Sequence, residues 1–302
     1  MRLMAAALLA AARPARLILR PIVPRGARML AAATDGNLRR VLTHDATHAD
    51  WSGAVAALGP FARGSRLTRL NDVLSRRRGG LHVVLENVAD PYNTAAILRT
   101  AEGLGVQHVH IIESIAPSGS QSPGRKPGKR AQRNVAAGAA RWLTVHQYRS
   151  PVDCCARLKE LDLRILASDC PPCELDVAEG FVVESRLEEA GFAAARPIDA
   201  TMMEPGRGVA IVFGNERRGV TRAFVERADE AFFLPMVGLT QSFNISVAVA
   251  MTLYAAIATG HFPEGSLTEE ERIELLGRWL LRDVKAARQI LRSEAKLEFA
   301  DF

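Results

Sequence analysis

Val209-Ala210-Ile211-Val212-Phe213 leads directly into Gly214-Asn215-Glu216, and a second apolar run ends at Leu234-Pro235-Met236, shortly before Gln241-Ser242-Phe243-Asn244. Apolar runs of this length, rich in β-branched residues, are typical of strands buried on both faces of a parallel sheet. Ligands of such sheets bind where the strands end. The segment 208–258 therefore predicts two strand ends that present backbone and polar groups side by side.

Short apolar runs alternate with helical patterns along the rest of the chain. Strands are predicted over residues 82–85, 108–112, 163–167, 208–213 and 231–234, and helices over residues 93–104, 152–161, 220–228 and 242–258. This alternation is typical of a parallel sheet with helices on both faces. We therefore expect an α/β fold whose main domain covers residues 81–260.

Polar residues at the predicted strand and helix ends are the candidate functional groups. Asn93 takes the position of a helix cap, a role that requires no catalysis. Arg99 follows it among Ala, Ile and Leu residues, where packing on the sheet predicts apolar side chains, so its guanidinium requires an anionic partner. Glu216, Ser242 and Asn244 each stand at a predicted helix start, so a structural role is the alternative for them too.

Three ordered segments carry a resemblance to a known family. They are Asp90-Pro91-Tyr92-Asn93-Thr94-Ala95-Ala96-Ile97-Leu98-Arg99-Thr100-Ala101, Phe213-Gly214-Asn215-Glu216 and Gln241-Ser242-Phe243-Asn244. In this order they resemble the SpoU branch of the SPOUT RNA methyltransferases, most closely its tRNA guanosine 2′-O-methyltransferases, over about residues 65–295. The resemblance implies a trefoil-knotted α/β domain, a homodimer that shares groups across its interface, S-adenosyl-L-methionine as cofactor, and tRNA or rRNA as partner.

The resemblance also implies roles for individual residues. The predicted catalytic residues are Arg99, Asn93, Glu216, Ser242 and Asn244, and the predicted cofactor contacts, mostly through backbone, are Gly214, Leu234, Phe243, Ser168, Ala167 and Met236. Arg99 meets the phosphate and ribose of the substrate nucleotide, either as a transient proton acceptor or as a stabiliser of the developing alkoxide. Glu216 holds the neighbouring loops and the Asn93 side chain, while Ser242 and Asn244 position the ribose.

The charge of the chain favours a polyanionic partner, because its 302 residues carry a formal charge of +6. The predicted RNA contacts are Arg76, Arg77, Arg78, Arg125, Lys126, Lys129 and Arg130. They fall in two basic clusters typical of mobile RNA-binding elements, of which the second stands in a Gly-, Ser- and Pro-rich stretch. The first cluster also includes Arg63, Arg66 and Arg69, and the second also includes Arg133. A solvated surface is the alternative for both clusters.

Thr268-Glu269-Glu270-Glu271 is a capping box, and it predicts a C-terminal helical extension over residues 261–302 whose basic side faces RNA or solvent.

Residues 1–34 contain six arginines and no acidic residue. This composition is typical of an organelle transit peptide, and the absence of Ser favours the mitochondrion over the plastid. A start at Met29 is the alternative, and it would place the protein in the cytoplasm. Residues 35–64 lack clear periodicity and are interpreted as a linker into a basic helix over residues 65–80.

Several other functions lack their minimal motifs, since the chain has no G-x-G-x-x-G, P-loop, H-E-x-x-H or G-x-S-x-G sequence. Cys154-Cys155 and Cys170-Pro171-Pro172-Cys173 suggest a zinc or redox site, but adjacent cysteines rarely ligate one ion, so we expect free thiols and no metal. No apolar run is long enough to span a bilayer, so no membrane partner is expected.

Two alternatives to tRNA methylation stay open. One is methylation of rRNA by the same chemistry. The other is a catalytically silent RNA-binding protein, which would require only the surface arginines. The joint presence of five predicted catalytic residues argues against this second alternative.

Overall fold

The computed structural model describes residues 50–113, 138–169, 195–240 and 242–297. The described residues form α1 (Trp51–Leu58), α2 (Gly64–Leu74), β1 (Arg78–Glu86), α3 (Pro91–Gly103), β2 (Val106–Ile112), β3 (Thr144–Tyr148), α4 (Pro151–Glu160), β4 (Arg164–Ser168), β5 (Arg196–Pro197), β6 (Val209–Phe213), α5 (Arg222–Val225), β7 (Glu230–Phe233), α6 (Ile245–Ala258), α7 (Glu269–Asp283) and α8 (Ala287–Ile290). Short 3₁₀ turns lie at Gly59–Phe61, Ala140–Trp142 and Ala200–Met202, and a π-helical turn lies at Leu291–Ala295.

The seven strands form one sheet in the order β3-β2-β1-β6-β4-β7-β5, and every pairing between them is parallel. This confirms the predicted α/β fold with a parallel sheet. β6 lies between β1 and β4, and all five of its residues are buried. Because the strands are parallel, their carboxyl ends share one side of the sheet, called here the carboxyl edge. The trefoil knot stays a prediction.

Helices cover both faces of the sheet, as predicted. On one face α3 and α6 pack through residues such as Ile97 and Leu253. On the other face α4 and α5 pack through Leu158 and Phe224.

The thiols of Cys154 and Cys155 are free and buried in this second core, and burial raises the pKa of Cys155 to about 11. Cys170 and Cys173 lie outside the described residues.

A third core joins the two ends of the described chain. It contains Trp51 and Leu58 of α1, Leu74 of α2, and Trp279 and Leu280 of α7. The interpretation of residues 51–61 as linker is therefore wrong. Its buried residues Trp51, Ala54 and Leu58 have helical spacing, but the residues between Ala54 and Leu58 are apolar too, so the sequence shows no contrast between a buried and an exposed face. Residues 1–49, which include the predicted transit peptide, lie outside the described residues.

The first basic cluster is only partly a surface feature. The predicted helix over residues 65–80 ends at Leu74, and the chain then enters β1, so the arginines are not helical. Arg77 is 1% exposed, donates to Glu102 Oε1 at 2.9 Å and lies 5.5 Å over the Trp279 ring. The prediction that Arg77 binds RNA is therefore wrong.

Arg78 is also engaged within the fold. Its guanidinium donates to the carbonyl oxygens of Leu104 and Phe262 and pairs with Glu264 at 3.2 Å. With its side chain only 13% exposed, Arg78 is not available to RNA, and its prediction is wrong for the same reason. Arg76 is exposed and pairs with Asp72, so its RNA contact stays a prediction. The predicted contacts Arg125, Lys126, Lys129 and Arg130 lie outside the described residues.

The capping box at the start of α7 is confirmed. Glu271 N donates to Thr268 Oγ1 at 3.2 Å, and Thr268 N donates to Glu271 Oε2 at 2.9 Å. α7 packs on α1 and α2, which makes the C-terminal extension part of the third core. Within the described ranges, no helix combines the length and apolarity needed to cross a bilayer.

Four histidines form a stacked array across β1, β2 and β3. The ring centroids are 4.5 Å apart for the pair His82 and His108 and for the pair His110 and His146. Alternate residues of a strand share one face, which places His108 and His110 side by side. The strand predictions over residues 82–85 and 108–112 give no sign of this array.

A directional chain of hydrogen bonds runs through the array. His82 Nε2 lies 3.0 Å from the Gly79 carbonyl oxygen, which can only accept, so Nε2 carries the proton. His82 Nδ1 then accepts from His110 Nε2 at 2.9 Å, and His110 Nδ1 accepts from the Tyr148 hydroxyl at 3.0 Å. Burial, reinforced by the neighbouring histidines and Arg157, holds the pKa of both rings well below the usual range. Both rings are therefore neutral at neutral pH.

Candidate functional site

Glu216 organises the carboxyl edge at the ends of β1 and β6. Its Oε2 accepts from the Ala89 backbone N–H at 2.9 Å. Its Oε1 accepts from the Asp90 backbone N–H at 3.4 Å and from Asn93 Nδ2 at 3.0 Å. One carboxylate thus holds the loop between β1 and α3 together with the first turn of α3, as predicted for this residue.

Asn93 and Asn244 connect α3 to α6. Asn244 Nδ2 donates to Asn93 Oδ1 at 3.1 Å, while Asn244 Oδ1 caps α6 by accepting from the Ser246 backbone N–H at 2.9 Å. The cap of α3 is Asp90, whose Oδ1 accepts from Tyr92 N at 2.8 Å, and not Asn93. The cap interpretation of Asn93 is wrong because the helix begins at the preceding proline, two residues earlier. Its amide is therefore free to bond with Glu216 and Asn244.

The hydrogen bonds keep Glu216 ionised. Partial burial opposes ionisation, but the bonds from the Ala89 backbone, the Asn93 side chain and the Asp90 backbone outweigh it, so the pKa of Glu216 is lowered. The site therefore contains a fixed negative charge at neutral pH. This charge orients the Asn93 amide with its NH₂ toward Glu216 and its oxygen toward Asn244.

The loop after β6 is closed by Gly214 and Asn215. A Cβ on Gly214 would lie 2.1 Å from the Gly219 carbonyl carbon, so only glycine fits. Asn215 Oδ1 accepts from the backbone N–H groups of Arg217 and Arg218, and its Nδ2 donates to the Asn87 carbonyl oxygen at 2.8 Å. Sequence reasoning missed Asn215, although Asn after Gly is a turn signal that could have indicated it.

Glu86 is a second positioning carboxyl group that sequence reasoning missed. It is 1% exposed at the end of β1, where its oxygens accept from the Thr221 backbone N–H at 2.8 Å and hydroxyl at 2.6 Å. Burial, opposed by these two bonds, raises the pKa of Glu86. The contact ties β1 to the start of α5. No sequence signal distinguishes this residue from an ordinary glutamate at a strand end.

Arg99 projects to solvent from α3. The helix buries Ala95, Ile97 and Leu98 and leaves Arg99 exposed, so packing on the sheet does not require an apolar side chain at this position, and that premise of the sequence analysis is wrong. No hydrogen bond or ion pair engages its guanidinium within the part of the chain that the structure describes. It lies six residues after Asn93, about 9 Å along the helix axis. Its charge is therefore available to an anionic ligand.

The predicted cofactor contacts lie at three neighbouring strand ends. β6, β4 and β7 are adjacent, with Ala167 of β4 opposite Val212 and Ala231. Consequently the ends of these strands bring together Ala167, Ser168, Gly214 and Leu234, with Met236 two residues beyond. The side chains of Leu234, Met236 and Phe243 are partly buried. Ser242 is exposed one residue before Phe243, and its contact with ribose stays a prediction.

Fold and site together define an α/β protein whose ligand site lies at the carboxyl edge of a parallel sheet. Residues 80–254 match the SpoU rRNA Methylase family, and the chain belongs to that family. The match includes the whole Glu216–Asn93–Asn244 network.

Individual relatives agree with this assignment. The chain is 32% identical to the tRNA (guanosine(18)-2′-O)-methyltransferase of Escherichia coli K12, over 64% of this chain and 69% of that protein. It is 29% identical to the enzyme of the same name from Aquifex aeolicus, over 72% of this chain and 90% of that protein. A solved structure of the A. aeolicus TrmH/SpoU tRNA modifying enzyme superposes with a TM-score of 0.53 at 25% identity, covering 73% of this chain and 98% of that chain.

Proposed function

We propose that the protein transfers a methyl group from S-adenosyl-L-methionine to the 2′-oxygen of a guanosine ribose in tRNA. The observation that carries the proposal is the chain of hydrogen bonds from Glu216 through Asn93 to Asn244, which joins one residue of each of three sequence segments. The relatives named tRNA (guanosine(18)-2′-O)-methyltransferase suggest guanosine 18 as the target.

The residues at the carboxyl edge fit S-adenosyl-L-methionine. Ala167 and Ser168 are small and leave room at the strand ends, where backbone groups can pair with an adenine ring. Leu234, Met236 and Phe243 offer partly buried apolar side chains that can cover the ring. The cofactor supplies a methyl group carried on a sulfonium sulfur.

The side chains of α3 act on the RNA. A guanidinium carries a delocalised positive charge and five N–H donors, so Arg99 stabilises the developing 2′-oxyanion and the adjoining phosphate, while the 2′-hydroxyl proton passes to solvent water. Asn93, fixed by Glu216 and Asn244, orients the ribose. Because hydrogen bonds within the fold hold this arrangement, little reorganisation is required when RNA binds.

A second copy of the chain is proposed to cover the outer face of α6. This helix contains no charged residue, and it leaves Val247, Met251 and Tyr254 exposed by 46%, 43% and 69%. A solvated helix normally carries polar residues on its outer face. Sedimentation should therefore give a dimer that Met251→Glu dissociates, and an unchanged monomeric mass for the wild type would contradict the proposal.

Methylation of rRNA is the second candidate, favoured by the description of the matched family. Competition between tRNA and rRNA as methyl acceptors separates the two. A tRNA transcript with 2′-deoxyguanosine at position 18 should accept no methyl group, because the acceptor oxygen is missing. Equal methylation of this transcript would contradict the assigned atom.

Mitochondrial import is proposed from the composition of residues 1–34, whose six arginines occur without an acidic residue. A fluorescent protein fused to this segment should enter mitochondria. Protein starting at Asp35 should methylate RNA as well as the full chain. Cytosolic fluorescence together with lost activity would assign the segment to the mature protein.

A further inference from the structure

A basic groove lies between the start of α2 and the end of α7. It has a volume of about 790 Å³, and its lining includes Phe61, Arg63, Arg66, Arg69, Asp283 and Lys285. We call it the α2–α7 groove. Four cations and one carboxylate therefore face the same concave surface.

The carboxylate is already paired. Asp283 accepts from Arg66 Nε at 2.8 Å and from Arg66 Nη2 at 3.1 Å, and the same guanidinium lies 5.2 Å over the Trp142 ring. Arg66 is thus fixed from two sides and needs no further partner. Its charge and that of Asp283 largely cancel within the groove.

Three cations of the groove are uncompensated. Arg63, Arg69 and Lys285 are exposed, and none of them forms an ion pair or hydrogen bond through its side chain with the described part of the chain. Like charges on one concave surface repel each other, so electrostatics within the described part of the chain does not explain why these three residues lie together. A concave surface also concentrates the positive potential, which favours a polyanion.

Phe61 adds an aromatic surface to the charges. Its side chain is 55% exposed in the turn between α1 and α2, two residues before Arg63. Grooves that combine cations with exposed aromatic rings bind nucleic acid strands, since the cations contact phosphates and unpaired bases stack on the rings. An acidic protein surface would not require the ring.

The groove is remote from the Glu216–Asn93–Asn244 network. Arg66 stacks on Trp142, which precedes the amino end of β3, whereas the network lies at the carboxyl edge. Strands such as β2, with seven residues, separate these edges by about 23 Å. A ligand that engages both places must therefore extend well beyond one nucleotide.

We propose that the α2–α7 groove binds the phosphodiester backbone of the RNA substrate at a distance from the reacting ribose, with one unpaired base stacked on Phe61. This inference rests on the proposed function. It makes the enzyme selective for a folded, tRNA-sized RNA over a short hairpin that contains the same target guanosine.

The test uses the full chain with Arg63, Arg69 and Lys285 changed to Ala. A matched control changes Lys159, Arg207 and Arg272, three exposed or half-exposed cations away from the groove, to Ala. Binding of a tRNA transcript is measured against salt concentration, and steady-state methylation is measured on the transcript and on the isolated hairpin. Phe61→Ala and Phe61→Trp test the stacking.

In the groove variant, the slope of log binding constant against log salt concentration should be smaller by about two to three, and KM for tRNA should be higher. The kcat and the methylation of the hairpin should not change. Phe61→Ala should weaken tRNA binding about tenfold, and Phe61→Trp should restore it. Equal losses in groove and control variants would overturn the inference. So would binding of phosphatidylserine vesicles that depends on the groove while RNA binding does not.

Failure of the proposed function gives a different result. A wild-type protein that binds tRNA through the groove but methylates no RNA would overturn the assigned reaction and leave the groove assignment standing. Normal tRNA methylation by the groove variant, with wild-type KM, would overturn the groove assignment and leave the assigned reaction standing.

Discussion

Asn93 Nδ2 donates a hydrogen bond to Glu216 Oε1 across 3.0 Å, joining residues that are 123 positions apart in the chain. The bond connects the helix that carries Arg99 to the loop that follows β6. Loss of this contact should therefore affect the reacting groups more than the fold.

Glu216→Gln tests this connection. A glutamine has one acceptor oxygen where the carboxylate accepts three N–H groups, and its NH₂ would face a donor. We expect kcat for tRNA methylation to fall about tenfold, near the effect of one charge-assisted hydrogen bond, with the cofactor Kd unchanged. Glu226→Gln, which changes a carboxylate paired with Arg222 outside the site, should keep full activity. Equal kcat in both variants would show that Glu216 has no positioning role.

Arg99→Ala should lower kcat by a factor of about 100 or more, because the oxyanion loses its charged stabiliser. Cofactor affinity measured by calorimetry should not change, since Arg99 lies on α3 and is not among the predicted cofactor contacts at the ends of β4, β6 and β7. Arg99→Lys should recover little activity, because an ammonium lacks the planar fork. Arg207→Ala, a charge change at the opposite edge, is the matched control. Near-normal turnover of Arg99→Ala would exclude a catalytic role.

Arg77→Ala should lower the free energy of unfolding by about 3 kcal/mol, because it removes a buried guanidinium and leaves Glu102 without its partner. The same substitution leaves a cavity beside the Trp279 ring, which adds to the loss of stability. Arg76→Ala removes an exposed arginine of an i, i+4 pair and should cost less than about 1 kcal/mol. Urea denaturation compares the two variants. Similar small losses would contradict the structural role of Arg77.

The histidine array should make the protein sensitive to mild acid. In the folded protein the pKa values of His82 and His110 are lowered well below 6.5. The contribution of each neutral ring to the free energy of unfolding is therefore fully present at pH values above the unfolded pKa. As the pH falls below about 6.5, the unfolded chain binds protons that the folded chain does not, and stability falls by about 1.4 kcal/mol per pH unit for each histidine. The loss continues down to the folded pKa values.

Urea denaturation of the wild type and of His82→Gln at several pH values between 5 and 8 measures this effect. The free energy of unfolding of the variant should depend less steeply on pH, by the amount that corresponds to about one bound proton. The other groups that face the two rings are His108, His146, Tyr148 and Arg157, and Glu271 faces His108. Parallel pH profiles for wild type and variant would show that His82 does not carry the effect.

Sequence reasoning predicted the sheet and the main parts of the site. The run from Val209 to Phe213 has the length and composition of a fully buried strand, and nothing in its surroundings overrides this preference. The link between Glu216 and Asn93 followed from the family resemblance. Both predictions depend on features that are local or carried by a motif.

Features that depend on tertiary packing were not predictable. Arg77 belongs to an arginine cluster in sequence, and only the docking of α7 reveals that its guanidinium is buried under Trp279. The helix α1 shows too weak a periodicity to be separated from a linker. The histidine array requires the pairing of three strands, because His82 and His146 become neighbours of the same rings only across the sheet.

Methylation of the ribose of a tRNA guanosine is the reaction that we propose for the protein. The most direct test incubates purified protein with tRNA and S-adenosyl-L-methionine that carries a deuterated methyl group, then digests the RNA to nucleosides for mass spectrometry. We predict labelled 2′-O-methylguanosine, dependent on Arg99 and Glu216. Label on a guanine base, on another nucleoside alone, or on no nucleoside would contradict the claim.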